Sequence, residues 1–222
     1  MHKIDLHDAA DAEQKSAALA LFARMQSELS TAIILADAGR DLAFRMHCRS
    51  AVECALHLFL AETDASYLAR LRADDTVSRK SRAKKYIAST KGQLAKEAEK
   101  SLQVFIQANA GTNGKLVISE IETPFPRMTH VYREISADAT HVTWTSLLRH
   151  VDDSEPGWIQ LRIEPKLTEE ELEEAASILA FAGLSSIKSL GEILPQFNER
   201  YDLVAMFDSY KPIYRSGLHN LA

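Results

Sequence analysis

Residues 41–62, DLAFRMHCRSAVECALHLFLAE, constrain the fold more than any other part of this chain. Wound at about 100° per residue, Leu42, Phe44, Met46, Val52, Leu56, Leu58, Phe59 and Leu60 point in every direction. A helix that is apolar all round is enclosed by its neighbours rather than laid on top of them. The same stretch carries Arg45, His47, Arg49, Glu53 and His57, and polar groups on an interior helix need partners. Arg49 and Glu53 stand four apart on one face. If they are buried, stranding either one costs ~3–5 kcal/mol. Three arrangements satisfy that constraint: a structural ion pair, a polar pocket that holds a ligand, or a pair exposed to solvent.

The flanking sequence reads as further helices. Leu19, Phe22, Met25, Leu29, Ala32, Ile33 and Ala36 recur at three- and four-residue spacing, which predicts a first helix from about 9 to 37. Asp8 or Asp11 is positioned to cap it, and residues 1–8 are expected to fray. Gly39 breaks it and Asp41 is placed to cap the next, so the two helices are expected to be antiparallel neighbours. A third helix, from about 64 to 90, contains a polar interval at 73–85 that calls for a kink or a surface position. A fourth runs from about 93 to 109. Residues 110–127 interrupt the pattern: Asn113-Gly114 signals a turn, 115–121 reads as a short strand, and Pro124 and Pro126 argue against helix.

Helix resumes from 128 to 150, with a break expected near 137–140 where Asp138 could cap the second half. Residues 158–164 alternate strictly, Ile159, Leu161 and Ile163 against Gln160, Arg162 and Glu164, the pattern of a half-buried strand. Thr168 and Glu171 form a capping-box signature for a helix to about 194, stopped by Pro195. A last helix is expected over 197–210, ended by Pro212. The fold class is all-α: one domain over residues 1–222, a bundle of six or seven helices with short accessory strands and a loop or strand insertion at 110–127.

The formal charge of −5 argues against attraction of the whole surface to nucleic acid. Its distribution is uneven, with ten basic against four acidic residues from 70 to 100, and nine acidic against two basic from 152 to 174. Two solvated faces are one reading, and mutual docking within or between chains is the other. Cys48 and Cys54 lie six apart on one helix and so cannot bridge each other there. Free thiols point to a reducing compartment. The N-terminus lacks the apolar core of a secretory signal, and no unbroken apolar run spans a bilayer. A cytoplasmic protein that does not enter membranes is the expectation.

GTNGK at 111–115 fails as a phosphate loop, because Asn109 stands where the first glycine belongs and Leu116 replaces the Ser or Thr that would hold magnesium. His47, Cys54 and His57 share one side of the central helix, but no second ligand pair is evident, so neither metal nor cofactor is assigned. A second constellation lies in THVYREISADATHVTW, 129–144. Tyr132 and Ser136 are one turn apart, and a break at 137–140 brings His141 towards them. Beside Arg49 and Glu53, these three would form an acid–base or phosphate-handling pocket with His141 as the candidate catalytic group. The competing reading makes Tyr132 and His141 hydrogen-bonded core residues.

The R-S-A-V-E of 49–53 within an apolar helix, followed by Y-R-E-I-S at 132–136 and by His141, resembles an uncharacterised family of bacterial helical proteins. Members of that family carry an Arg-x3-Glu helix and then a Tyr-x3-Ser-x4-His segment. The resemblance covers roughly residues 15–150. That family is in turn similar to the HEPN superfamily, helical bundles that often dimerise and include metal-independent ribonucleases of toxin and phage-defence systems. What the resemblance implies is a homodimer and, as an alternative to a module binding protein, RNA or a small ligand, a HEPN-like ribonuclease. The HEPN motif is Arg, four to six residues, then His. Arg40 and His47 fit it, with Asp41 after the Arg, whereas Arg133 to His141 and Arg49 to His57 have seven residues between them.

Arg79, Lys80, Arg82, Lys84 and Lys85 crowd into seven residues as a possible phosphate-contacting stripe, with only Tyr67 and Tyr86 in that segment to stack on bases. The expectation is weak, sequence-indifferent RNA binding at most. In a salt titration with a short single-stranded RNA, the log–log slope should steepen by about 0.7 per neutralised phosphate. The purified protein should not cleave that RNA, and cleavage abolished by His47→Ala or His141→Ala would promote the ribonuclease reading.

Overall fold

The computed structural model describes residues 11–90, 92–123, 126–139, 142–152, 158–165, 168–200 and 202–216. The described residues are mainly helical, as the periodicity implies, with eight α-helices and two short strands. Their order is α1 (Ala12–Asp37), α2 (Asp41–Thr63), α3 (Tyr67–Thr90), α4 (Lys96–Ala108), α5 (Pro126–Ala139), α6 (Trp144–Leu148), β1 (Val151–Asp152), β2 (Gln160–Leu161), α7 (Glu169–Ile193) and α8 (Leu203–Ser216). Where the sequence reads as one bundle, the contacts divide into two compact units, Met1–Thr63 with Ile118–Ala222, and Asp64–Val117.

In the larger unit α2 packs against α1, α5 and α7. This enclosure is what the all-round apolar pattern demands, and eleven α2 residues are buried. It shares the centre with α7, where twelve of 25 residues are buried, but only Leu42 and Met46 of residues 41–62 are exposed, so this remains the most enclosed helix, as its pattern predicts. The buried face of α7 is built largely from small residues: Ala182, Gly183, Ser185, Ser186 and Ser189. Ser185 and Ser186 hydroxyls donate to carbonyls four residues back, at 2.8 and 2.7 Å, which lets hydroxyls sit in the core without orphaned donors. Near the opposite end from the capping box, Lys188 and Ser189 both bond the Glu62 carboxylate at 2.6 Å. Ala18, Leu58, Leu190 and Leu194 close one core cluster between α1, α2 and the end of α7.

Several local expectations hold. Thr168 caps α7 with its full reciprocal box to Glu171. The polar interval of α3 stays helical and largely exposed, with no break. Other expectations are corrected. Residues 115–121 are not a strand: the Leu116 N–H is taken by the Asp74 carboxylate at 3.0 Å, and a 3-10 turn covers Ile118–Glu120. Pro126 does not exclude helix but heads α5, where its missing N–H has no intrahelical partner to lose. The cap after the break is Thr143, boxed with Ser146, rather than Asp138. The last helix begins later and runs through Pro212, since a proline removes one intrahelical bond without necessarily ending the helix.

Strand pairing in 158–164 shrinks to two residues, Val151 opposite Leu161 and Asp152 opposite Gln160, antiparallel. Its apolar face is not half-buried, since Ile159, Leu161 and Ile163 are 70, 77 and 93% exposed. Helices α1 and α7 are long and, on average, apolar enough to cross a membrane, although neither contains an unbroken apolar run of spanning length. Two-thirds of the α7 window is buried inside the protein, as for a core helix, against 17% for α1. Residues 1–8, Pro124, His141 and most of the 152–157 loop lie outside the described residues.

Candidate functional site

Helix α5 lies against α2, and four of the five residues expected to form a polar pocket meet there. Arg49 donates from Nε to Ser136 Oγ at 2.8 Å and from Nη2 to the Tyr132 hydroxyl at 2.7 Å. Its Nη1 lies 3.1 Å from Glu53 Oε2. The guanidinium carbon also sits 4.9 Å from the Tyr132 ring centroid. Ser136 in turn donates to the Tyr132 carbonyl at 2.5 Å. The spacing explains the convergence: 49 and 53 are one turn apart on α2, as are 132 and 136 on α5. Each guanidinium nitrogen is engaged, so Arg49 clamps α2 to α5. Burial and the nearby Glu53 charge push the Tyr132 phenol above its ordinary value, and it therefore stays protonated at neutral pH. Arg49 and Glu53 are half-buried rather than sealed. The fifth member, His141, falls outside the described residues.

A second network, which the sequence reading missed, sits further towards the start of α2. Asp41 is 1% exposed, although sequence offers it only as a helix cap and as the residue after Arg40 in the HEPN-like match. Its Oδ1 accepts from Arg45 Nε at 2.8 Å, and its Oδ2 accepts from Arg149 Nε and Nη2 at 3.2 and 3.0 Å. Glu171 completes the square, with Arg149 Nη1 at 2.7 Å and Arg45 Nη2 at 2.8 Å from its Oε1. Two guanidinium groups and two carboxylates thus balance to zero net charge. Burial raises the Glu171 carboxyl, but hydrogen bonds from Arg149 and from Thr168 outweigh it and hold the group at about 2. Arg149 is shifted upward: burial works against its charge, and the bonds to Glu171 and Asp41 overcome that. The i, i+4 spacing of Asp41 and Arg45 was a signal for half of this square. Nothing in the sequence connected Arg149, 108 positions away, to Asp41.

This network borders a cavity of about 610 Å³ walled by α2, α5 and α7. Val131, Ile135, Ala175 and Ile178 supply apolar wall, Arg45 and Arg149 line it, and His130, Glu134 and Glu174 stand around it. Among the described residues, Glu134 and Glu174 have no ion pair. Cys48 also lines the cavity, but burial pushes its thiol up to about 12, so it is no thiolate nucleophile. Cys54 is likewise raised by burial, to about 11, and both cysteines are free.

The remaining candidates separate. Arg40 pairs with Glu164 at 2.9 Å and His47 with Glu28 at 2.7 Å, so the one Arg–His pair with matching spacing is divided between two carboxylates. Within Asp64–Val117 the basic stripe is not a single free face. Lys80 caps the end of α4, reaching the Asn109 and Thr112 carbonyls at 2.9 and 2.8 Å. Arg79 lies 5.3 Å from the Phe105 ring centroid and 3.7 Å from Asp75. Arg82, Lys84 and Lys85 are exposed. No group of three or more metal-ligating side chains occurs among the described residues. No family model, curated protein or solved structure matches the chain.

Two outcomes follow. Arg49→Ala and Glu53→Ala should each destabilise, and the double variant should cost less than their sum, with a coupling of ~0.5–3 kcal/mol in urea unfolding. Additive costs would mean that the pair does not interact. For Glu171, a folded value of about 2 lies below the ordinary 4.5. Its contribution is therefore complete above pH ~4.5 and disappears as the pH falls towards ~2. Urea midpoints of wild type and Glu171→Gln should differ at neutral pH and converge across that acid window.

Proposed function

We propose that this protein is a helical binding module whose ligand is a small molecule with an apolar body and a neutral or cationic head, held in the cavity between α2, α5 and α7. The single observation behind this reading is that the arginines at the cavity are already spent. Arg45 and Arg149 are both bound to Asp41 and Glu171, so an anionic ligand would have to compete with two carboxylates already in place. Among the described residues, the charged side chains at the cavity without an ion pair are Glu134 and Glu174. A volume of about 610 Å³ suits a small organic molecule, within the ~300–1,000 Å³ common for such sites. Mostly apolar walls with a few fixed polar groups are also the usual composition of a ligand site.

Binding rather than catalysis is favoured because the neighbouring groups are poorly suited to chemistry. The cavity thiol, Cys48, is protonated. A HEPN-like ribonuclease has less support, since Arg40 and His47 bond separate acids. A cytoplasmic setting suits two free buried thiols.

Phenethylamine, phenethyl alcohol and phenylacetate share one body and differ in charge, so they test the reading directly. Titrations followed by NMR should show saturable binding of the amine, weaker binding of the alcohol and none of the acid. A Glu134→Gln, Glu174→Gln double variant should lose about tenfold in affinity for the amine, or about 1.4 kcal/mol, while keeping its affinity for the alcohol. Tightest binding of phenylacetate would reverse the assignment.

A further inference from the structure

The unit Asp64–Val117 is cationic within an acidic chain, with eleven basic against five acidic residues. Sequence lays five of these cations in one stripe, but the fold sorts them. Lys80 is spent on the carbonyls after α4, whereas Arg79 and Arg82 border a cleft of about 680 Å³ between α3 and α4. Arg79, Arg82, Ala83 and Tyr86 share one face of α3, at three- and four-residue spacing, and Leu102 and Phe105 face them from α4. Ala83 is buried and leaves room at the floor. The Arg79 guanidinium sits 5.3 Å from the Phe105 ring centroid, and the Tyr86 ring is 54% exposed. Lys84 and Lys85 do not line the cleft.

Unlike Arg45 and Arg149, these arginines are available. Among the described residues Arg82 makes no hydrogen bond or ion pair. The Arg79 contact to Asp75, 3.7 Å long between side chains 59 and 60% exposed, is of the solvated kind that contributes little. A guanidinium fork accepts two oxygens of an anion, so one arginine already saturates a carboxylate. Two forks one turn apart suit a group with two charges and three terminal oxygens, which is a phosphate monoester. The floor of Ala83, Leu102 and Phe105 beside the Tyr86 ring calls for an aromatic body on that phosphate. A nucleic acid strand would need a succession of stacking rings, and Tyr86 stands alone on α3 because Tyr67 is 1% exposed. We propose that the α3–α4 cleft binds a small aromatic phosphate monoester, its ring against Tyr86 and Phe105 and its phosphate between Arg79 and Arg82. The cleft shares no residue with the cavity walled by α2, α5 and α7, and neither reading rests on the other.

Phenyl phosphate, inorganic phosphate and phenylacetate separate the ring from the dianion in NMR titrations of the full chain. Phenyl phosphate should bind saturably, inorganic phosphate roughly tenfold more weakly for want of the ring, and phenylacetate not detectably. Arg82→Gln and Tyr86→Ala alter exposed side chains, so the helical circular dichroism spectrum should be unchanged. Each should weaken phenyl phosphate about tenfold, Arg82→Gln by removing charge-assisted bonds. The Glu134→Gln, Glu174→Gln variant should bind it as wild type does, which keeps failure here distinct from failure at the other cavity. Absence of saturable phenyl phosphate binding overturns the proposal, as does binding that survives Arg82→Gln. Inorganic phosphate binding as tightly as phenyl phosphate would reduce the cleft to a plain anion contact and overturn the aromatic assignment. Tighter binding of a short single-stranded RNA, lost in Arg82→Gln, would assign the cleft to a polyanion instead.

Discussion

A carboxylate that is 1% exposed has to be answered, and the arrangement around Asp41 follows from that requirement. Leaving it unpaired would cost several kcal/mol. Two arginines satisfy it, one from the next turn of α2 and one from the segment just before β1. Their own surplus charge is taken up by Glu171 at the start of α7. One buried group thereby fixes the start of α2 against two segments more than a hundred residues away in the chain. The capping box of α7 belongs to the same unit, because the Glu171 carboxylate also accepts from the Thr168 N–H at 3.0 Å. Helix start, ion network and cavity wall are thus held by one set of hydrogen bonds.

The clamp at Arg49 has a different character. Its partners are two hydroxyls and one carboxylate, and it joins neighbouring helices. Both networks are internally balanced, and the one around Asp41 shapes what the cavity beside it can hold. Guanidinium groups already bound to carboxylates define a shape and a polarity without offering a strong anion site. The thiol at the cavity is protonated because it is buried: a thiolate would have to give up its hydration, and the nearby Arg45 charge only partly offsets that cost. A preformed apolar space with fixed polar edges remains, and the proposed ligand would sit there.

Sequence by itself determined the helical class, because the 3.6-residue periodicity and the capping signals act locally. It placed α2 at the centre, since a helix apolar on all sides has to be surrounded, and it identified Arg49, Glu53, Tyr132 and Ser136 as a set because each pair lies one helical turn apart. Where local preference met tertiary placement, tertiary placement decided. Leu116 has the composition of a strand but spends its N–H on a helix carboxylate. Lys80 looks like a free phosphate ligand but caps α4. Ile159, Leu161 and Ile163 alternate as half-buried residues do, yet no element among the described residues covers them. The pairing of Asp41 with Arg149 and Glu171 also belongs to the folded structure alone: Coulomb attraction and burial depend on distance in space, and no periodicity along the chain encodes a separation of 108 residues.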